Sequence, residues 1–396
     1  MLQFPVYLDN AATTPCDERV VEAMLPCFMQ NYGNASSRSH AFGWRAGVVV
    51  EKARQSVASL INATPQEIIF TSGATEGCNL SLRGVFETYA VKGKHIITTA
   101  VEHKAVMDTC KALQKKGASI TWLKPNAHGI IDVEELKAAI QPQTILIAVM
   151  YANNETGVIQ PIAEIGAIAK EHKVLFFCDA TQAIGKIPVD VQNSQIDLLT
   201  MSAHKMYGPK GIGALYIRKK SPRVKLLPQI TGGSQEKNLR SGTLNVPGIV
   251  GLGKASEICI AEMDGEYKKL QKLRDYLASS LLQIQESCVN GSTIHRLPHI
   301  CNISFKYLTS SQMLSVLNKT LAISSGSACT SGSLDPSYVL KAMGIDDSLA
   351  KAALRFSLGR FTTNEEIDFA ITEVQNCVAH LRNESFEWGL FIKSKQ

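Results

Sequence analysis

Residues 145–182 read ILIAVMYANNETGVIQPIAEIGAIAKEHKVLFFCDATQ, and this stretch decides the fold class. Its flanks, 145–151 and 174–178, are almost continuously apolar, as strands are when helices cover both faces of a sheet. An amphipathic helix follows Pro161 between them. The same alternation extends from about residue 65 to 220. Further strands are expected at 67–71, 95–99, 119–123, 198–202 and 214–218, with helices after Thr75, His103 and Asp132. The expected fold is α/β, with a mostly parallel seven-stranded sheet flanked by helices.

Downstream, the charged stretch 262–285 reads as one amphipathic helix leading into a smaller α+β region. That region has a strand near 300–305, a helix over 310–319, a Ser/Gly-rich loop at 324–333 and a closing helix over 364–381. Thr363 is the expected N-cap of the closing helix. The expected division is a large domain over 16–260 and a small domain from 1–15 and 261–396, which carries the 324–333 loop.

The chain has 396 residues, 45% hydrophobic and 19% charged, the profile of an ordinary globular protein. Its longest apolar stretch, 145–152, is too short to cross a bilayer. A net charge of +6 without a dense basic run argues against nucleic-acid binding. The N-terminus, MLQFPVYLDN, has neither the basic nor the long apolar region of a secretory signal. The ten cysteines form no C-x-x-C pair and match neither a zinc site nor a disulfide framework. These features predict free thiols in a reducing compartment, the cytoplasm.

Four polar stretches follow predicted strands, where open α/β sheets bind ligands. In TSGATEG (71–77), Gly73 permits a tight turn, and the following amides with Thr75 can hold an anion at a helix N-terminus. The bland reading is a plain capped helix start. In CDATQA (178–183), Asp179 at a strand end can pair with a protonated ring nitrogen, as a pyridoxal cofactor requires to act as an electron sink. Turn formation is its ordinary use. In MSAHKMYGPKGIGALY (201–216), Lys205 can form a Schiff base while Ser202 and His204 donate to a phosphate. In AVEHKAVMD (100–108), His103 can stack on a cofactor ring and act as acid or base, or simply cap a helix. Cys329 lies in SSGSACTSGS (324–333), a run of small polar residues unsuited to a core strand. Of the ten cysteines it best meets the exposure that a nucleophilic thiolate needs.

With YLDNAATTP (7–15), GNASSRSHAFG (33–43), NNETG (153–157), RSGTLN (240–245), SSGSACTSGSLDPSYVL (324–340) and RFSLGRFTT (355–363), these motifs run in one order along nearly the whole chain. In this the chain resembles the cysteine desulfurases of the NifS/IscS type, in the class V aminotransferase group of fold-type I pyridoxal-phosphate enzymes. The resemblance implies conversion of L-cysteine to L-alanine, with pyridoxal 5'-phosphate bound in the large domain. By the same resemblance Lys205 is the Schiff-base lysine, Asp179 the partner of the pyridinium nitrogen, Gln182 the neighbour of the ring hydroxyl and His103 the stacking residue. Thr75, Ser202, His204 and the Gly73–Ala74 backbone match the phosphate cradle. Thr243 matches a phosphate contact from a neighbouring subunit, which implies a homodimer. Asn154 matches a residue beside cofactor and substrate, Arg355 the clamp on the substrate carboxylate, and Cys329 the carrier of the persulfide.

The long stretch CTSGSLDPSYVL (329–340) matches the IscS-like subgroup. Sulfur acceptors in iron–sulfur cluster assembly or tRNA thiolation are implied, with no metal in the site and no direct contact to nucleic acid or membrane. Two departures stand out: Ala35 in place of a common proline, and the ending FEWGLFIKSKQ (386–396), shorter than the usual scaffold-docking tail. The resemblance therefore carries catalysis over more firmly than scaffold docking. The competing readings are another class V enzyme, such as an aminotransferase or selenocysteine lyase, and a non-catalytic sulfur-relay protein.

Overall fold

The computed structural model describes residues 2–325 and 336–395, so Cys329 and most of its loop lie outside the described residues. In chain order the first strands are β1 (Val6–Tyr7), β2 (Ile68–Thr71), β3 (His95–Thr99), β4 (Ser119–Leu123), β5 (Thr144–Ala148) and β6 (Leu175–Asp179). They are followed by β7 (Leu198–Ser202), β8 (Gly213–Ile217), β9 (Ser287–Val289), β10 (Ile300–Phe305), β11 (Leu321–Ala322) and β12 (Ala353–Ser357). Among the described residues, seven of these form one sheet in the order β2-β8-β7-β6-β5-β3-β4. Only β8 runs antiparallel to its neighbours.

The helices of the first half are α1 (Glu18–Met24), α2 (Pro26–Met29), α3 (Ala41–Leu60), α4 (Ala74–Thr88), α5 (Lys104–Gln114), α6 (Val133–Ala138) and α7 (Ile162–Glu171). Successive strand residues point to opposite faces, and both faces are dry. Ile97, Ile147, Phe176 and Leu199 join α3 and α7 in one core. Their neighbours Ile96, Leu146, Phe177 and Leu198 join α4 and α5 in another. This double burial is why the strands read as continuous apolar runs rather than alternating ones. The strand expected over 145–151 leaves the sheet after Ala148, and Ala152 then bridges back to Ile159.

The second half contains α8 (Val246–Leu281), α9 (Ser310–Leu317), α10 (Tyr338–Ala342), α11 (Asp347–Lys351), α12 (Asn364–Asn383) and α13 (Phe386–Lys395). Helix α8 starts sixteen residues before the expected position 262. Its first half carries little charge because Ile249, Leu252 and Ala255 are buried beside α3, so it lacks the amphipathic signal of an exposed helix. Its second half contributes Leu270, Leu273 and Leu277 to a separate core with α9 and α12, packed on the antiparallel sheet β12-β10-β9. The expected boundary at 260/261 thus falls within one continuous helix.

Strand β1 returns the N-terminus to this region by pairing in parallel with β11. Thr363 caps α12 through a reciprocal capping box with Glu366. Helix α13 had no counterpart in the sequence reading. Its Phe391 stacks on Tyr307 with centroids 5.0 Å apart, and the Arg382 guanidinium lies 4.2 Å from the Trp388 ring centre. Among the described residues, no helix is long and apolar enough to cross a membrane.

Helix α4 sits very close to β7. A Cβ on Gly77 would lie 2.1 Å from Thr200 Oγ1 and 3.0 Å from Thr200 Cβ. Gly77→Ala is expected to push α4 off the sheet and destabilise the fold by roughly 1–3 kcal/mol. Denaturant unfolding measures that loss, and Thr200→Ala in the same chain should recover part of it.

Candidate active site

The carboxyl ends of β2, β3, β5, β6 and β7 open onto a cavity of about 620 Å³, closed on one side by β12 and the N-terminal segment. This is where an open α/β sheet places a ligand. Each element contributes a side chain or amide where its regular hydrogen bonding ends.

After β2 the backbone turns at Gly73, with φ 152° and ψ −178°, a region open essentially only to glycine. Thr71 Oγ1 donates to the Gly73 carbonyl at 3.0 Å, and α4 begins at Ala74. Ala74 and Thr75 therefore present the first-turn end of a fifteen-residue helix to the cavity, an anion-binding arrangement. Glu76 accepts from the Ser72 amide at 2.8 Å and pairs with Arg240 Nε at 3.0 Å, which fixes the turn from outside.

Three strands away, Asp179 ends β6 and is 5% exposed. One of its oxygens accepts from the Thr181 amide and hydroxyl, and the Cys78 thiol approaches the other at 3.8 Å. Gln182 donates to the Ala11 carbonyl at 2.9 Å. Ser202 closes β7, and His204 and Lys205 follow in a single 3-10 turn. Lys205 Nζ donates to the Ala11 and Ala12 carbonyls at 2.5 and 2.6 Å. His204 Nδ1 lies 3.1 Å from Thr13 Oγ1. Burial first, then the charges of Lys205 and Lys210, push the His204 imidazole down to about 4, which keeps it neutral at working pH. His103 caps α5, its Nδ1 accepting from the Ala105 amide at 3.1 Å, and its ring lines the cavity.

The opposite wall comes from β12. Arg355 is 2% exposed; it donates to the Asn154 carbonyl at 2.8 Å and to Asp9 at 2.7 Å. Its Nε and the Asn154 Oδ1 are buried without a hydrogen-bond partner among the described residues. Buried polar groups are normally satisfied, so both point to a ligand that completes them.

The structure thus brings Ala74, Thr75, His103, Asn154, Asp179, Gln182, Ser202, His204, Lys205 and Arg355 to one cavity. Thr243 is exposed and absent from its lining, and Cys329 lies outside the described residues. The sequence reading gave no individual role to Asp9, Ala11, Ala12 or Thr13, although it singled out their motif, YLDNAATTP. It also passed over Glu102 and Glu155. Burial pushes the Glu102 carboxyl up to about 8 despite bonds from the Met150 amide and Thr99 hydroxyl. Glu155 accepts from the Ser337 hydroxyl at 2.5 Å, and burial raises its carboxyl too. Nothing in the linear sequence distinguishes a buried carboxyl from an exposed one.

The Aminotransferase class-V profile matches residues 6–369. The cysteine desulfurase IscS of Anaeromyxobacter dehalogenans is 53% identical over 385 residues, covering 97% of this chain and 95% of the relative. The chain belongs to the cysteine desulfurases of the class-V aminotransferase family. Among solved structures, a NifS-like protein superposes with a TM-score of 0.89 at 38% identity, covering 95% of this desulfurase and all of that chain. The structure titled SspA in complex with cysteine gives 0.78 at 36% identity, covering 90% and 99%.

The depressed His204 has a consequence for stability. Unfolded, this histidine protonates near its ordinary 6.5; folded, it resists until about 4. Between those values the unfolded chain binds more protons, so stability falls as pH drops from 6.5 towards 4. His204→Asn in the cofactor-stripped desulfurase is expected to flatten that dependence, leaving the share due to His95 and His299, which burial also depresses. Urea midpoints at pH 4.5, 5.5 and 7 test this; equal slopes for parent and variant refute it.

Proposed function

We propose that this desulfurase binds pyridoxal 5'-phosphate through Lys205 and converts L-cysteine to L-alanine, passing the sulfur to Cys329 as a persulfide. The observation that carries this reading is the convergence of a lysine amine, a buried carboxylate and a helix N-terminus on one cavity, faced by a buried arginine with an unpartnered Nε. Those groups fit a phosphorylated pyridine aldehyde: an amine for the aldehyde, a carboxylate for the ring nitrogen and an anion cradle for the phosphate. When bound, the cofactor supplies the electron sink that lets the substrate α-proton leave.

The chain's own residues do the rest. Ala74, Thr75, Ser202 and His204 hold the phosphate. Asp179 keeps the ring nitrogen protonated, Gln182 and Asn154 orient the ring, and His103 stacks on it. Arg355, with Asn154 beside it, binds the substrate carboxylate by a charge-assisted pair, and Asp9 holds the guanidinium in place. Lys205 takes the α-proton and returns one later. The Cys329 thiolate attacks the substrate sulfur, the carbon–sulfur bond breaks with its electrons left on carbon, and that carbon is protonated on the way to alanine. Holding thiolate, lysine and substrate in one place supplies much of the rate.

A homodimer completes the cradle in this reading, with Thr243 reaching the phosphate site of the second copy. Phe28, Met29 and Tyr32 at α2, with Phe42, Trp44 and Val48 on α3, are exposed apolar groups suited to such an interface. Residues 16–260 form the cofactor domain, and 1–15 with 261–396 the small domain bearing the Cys329 loop, an assignment supported by the separate core around β10 and α12. The persulfide passes to acceptor proteins of iron–sulfur cluster assembly or tRNA thiolation. The protein works in the cytoplasm, in keeping with nine unpaired cysteines among the described residues.

Given L-cysteine and a thiol reductant, the yellow protein should release alanine and sulfide in equal amounts. Keto acid without alanine would make it a transaminase. Lys205→Ala is expected to abolish both turnover and the visible absorption. Cys329→Ala should keep the absorption and lose sulfur transfer, as followed by persulfide labelling; a normal persulfide yield would remove Cys329 from the mechanism.

A further inference from the structure

Tyr207 stands two residues beyond Lys205 with its backbone at φ 62°. A bulky residue holds this left-handed conformation only where its surroundings over-determine it. Here they do so through both backbone and ring. The Tyr207 amide donates to Thr14 Oγ1 at 2.9 Å, and its carbonyl accepts from the Asp17 amide at 3.0 Å. Lys186 Nζ lies 4.1 Å and the Arg360 guanidinium 4.3 Å from the ring centre, and the Arg360 amide donates to the phenol oxygen at 2.5 Å. Both cations are fixed by Glu266 of α8, each at 2.8 Å, and Arg360 also reaches Asp17 at 2.7 Å. Lys186, Glu266 and Asp17 are all buried.

None of these residues lines the cavity, yet each is tied to a segment that does. Tyr207 follows Lys205, Lys186 follows Gln182, and Arg360 follows Arg355 by five residues across the end of β12. Asp17 closes the N-terminal segment whose Ala11 and Ala12 carbonyls hold the lysine amine. The Coulombic pairs are desolvated, so removing one partner would strand the others.

We propose that Tyr207 is a positioning residue for catalysis: the ring clamped by Lys186 and Arg360 holds the strained turn after Lys205 and fixes the lysine amine relative to the Arg355 guanidinium. The proposal rests on the assignment of Lys205 as the cofactor lysine. It predicts that disturbing the ring impairs what the lysine does while leaving the grip of Arg355 intact. A purely structural ring would lower the yield of folded, loaded protein and leave each loaded site unchanged.

Tyr207→Asn separates the two, because asparagine tolerates the left-handed backbone but removes the ring. Per cofactor-loaded site, kcat for alanine formation is expected to fall about tenfold, as for a reacting group displaced by a fraction of an ångström. KM for L-cysteine should move less than about threefold, since ground-state binding is retained. When pyridoxal phosphate is added to the stripped full-length chain, its attachment to Lys205 should also slow about tenfold relative to the parent. The visible absorption, and the label fixed on the Lys205 peptide by borohydride, report that rate. Tyr207→Phe, which keeps the ring but loses the phenol oxygen that accepts from the Arg360 amide, should show about a threefold drop in kcat and decides the matter if the asparagine variant does not fold. Unchanged kcat and attachment rate per folded chain, or a rise in KM alone, would overturn the proposal. Lys205→Ala run alongside keeps the two ideas apart: a label that persists elsewhere in that variant refutes the lysine assignment itself.

Discussion

A guanidinium buried to 2% exposure needs partners on every side, and that requirement organises this molecule around Arg355. Asp9 from the N-terminal segment meets one nitrogen and the Asn154 carbonyl, beyond β5, meets another. The arginine itself belongs to β12 of the second sheet. Three segments far apart in the chain are thereby drawn to one point. The remaining Nε has no partner among the described residues.

The N-terminal segment is the second tie. Ala11 and Ala12 receive the Lys205 amine, Thr13 meets His204, and Thr14 meets both the His204 carbonyl and the Tyr207 amide. The same segment turns to the small sheet through Asn10 and the Ala11 amide, which bond to Ser357. Helix α8 bridges the two cores from the other side, one half buried in each. The cavity between is shaped by elements with their own reasons to pack, which is how a site can keep strained or unsatisfied groups without unfolding.

Much of this was legible in the chain, for identifiable reasons. The strands at 95–99, 119–123 and 198–202 coincide with β3, β4 and β7, because HIITT, SITWL and LLTMS are short runs rich in β-branched and apolar residues set between helical stretches. Asp179 could be singled out because it directly follows the apolar run 174–178, and Ser202 and Lys205 because they lie at and just beyond the end of the strand expected over 198–202. The first half of α8 and all of α13 escaped. Full burial erases the amphipathic pattern in the former, and the latter depends on aromatic contacts with Tyr307 and Arg382 that no local pattern encodes.

The sequence alone determined the secondary structure of the sheet, the class of fold and the chemical types available at the strand ends, since these follow from local periodicity and from motifs of short reach. Only the tertiary structure decided that Asp9 pairs with Arg355, that Glu102 and Glu155 are buried carboxyls with raised affinity for protons, and that Tyr207 is clamped between Lys186 and Arg360. Each of these joins residues distant in the chain or turns on desolvation. Proximity and dielectric are properties of the packed chain, and a linear order of residues does not carry them.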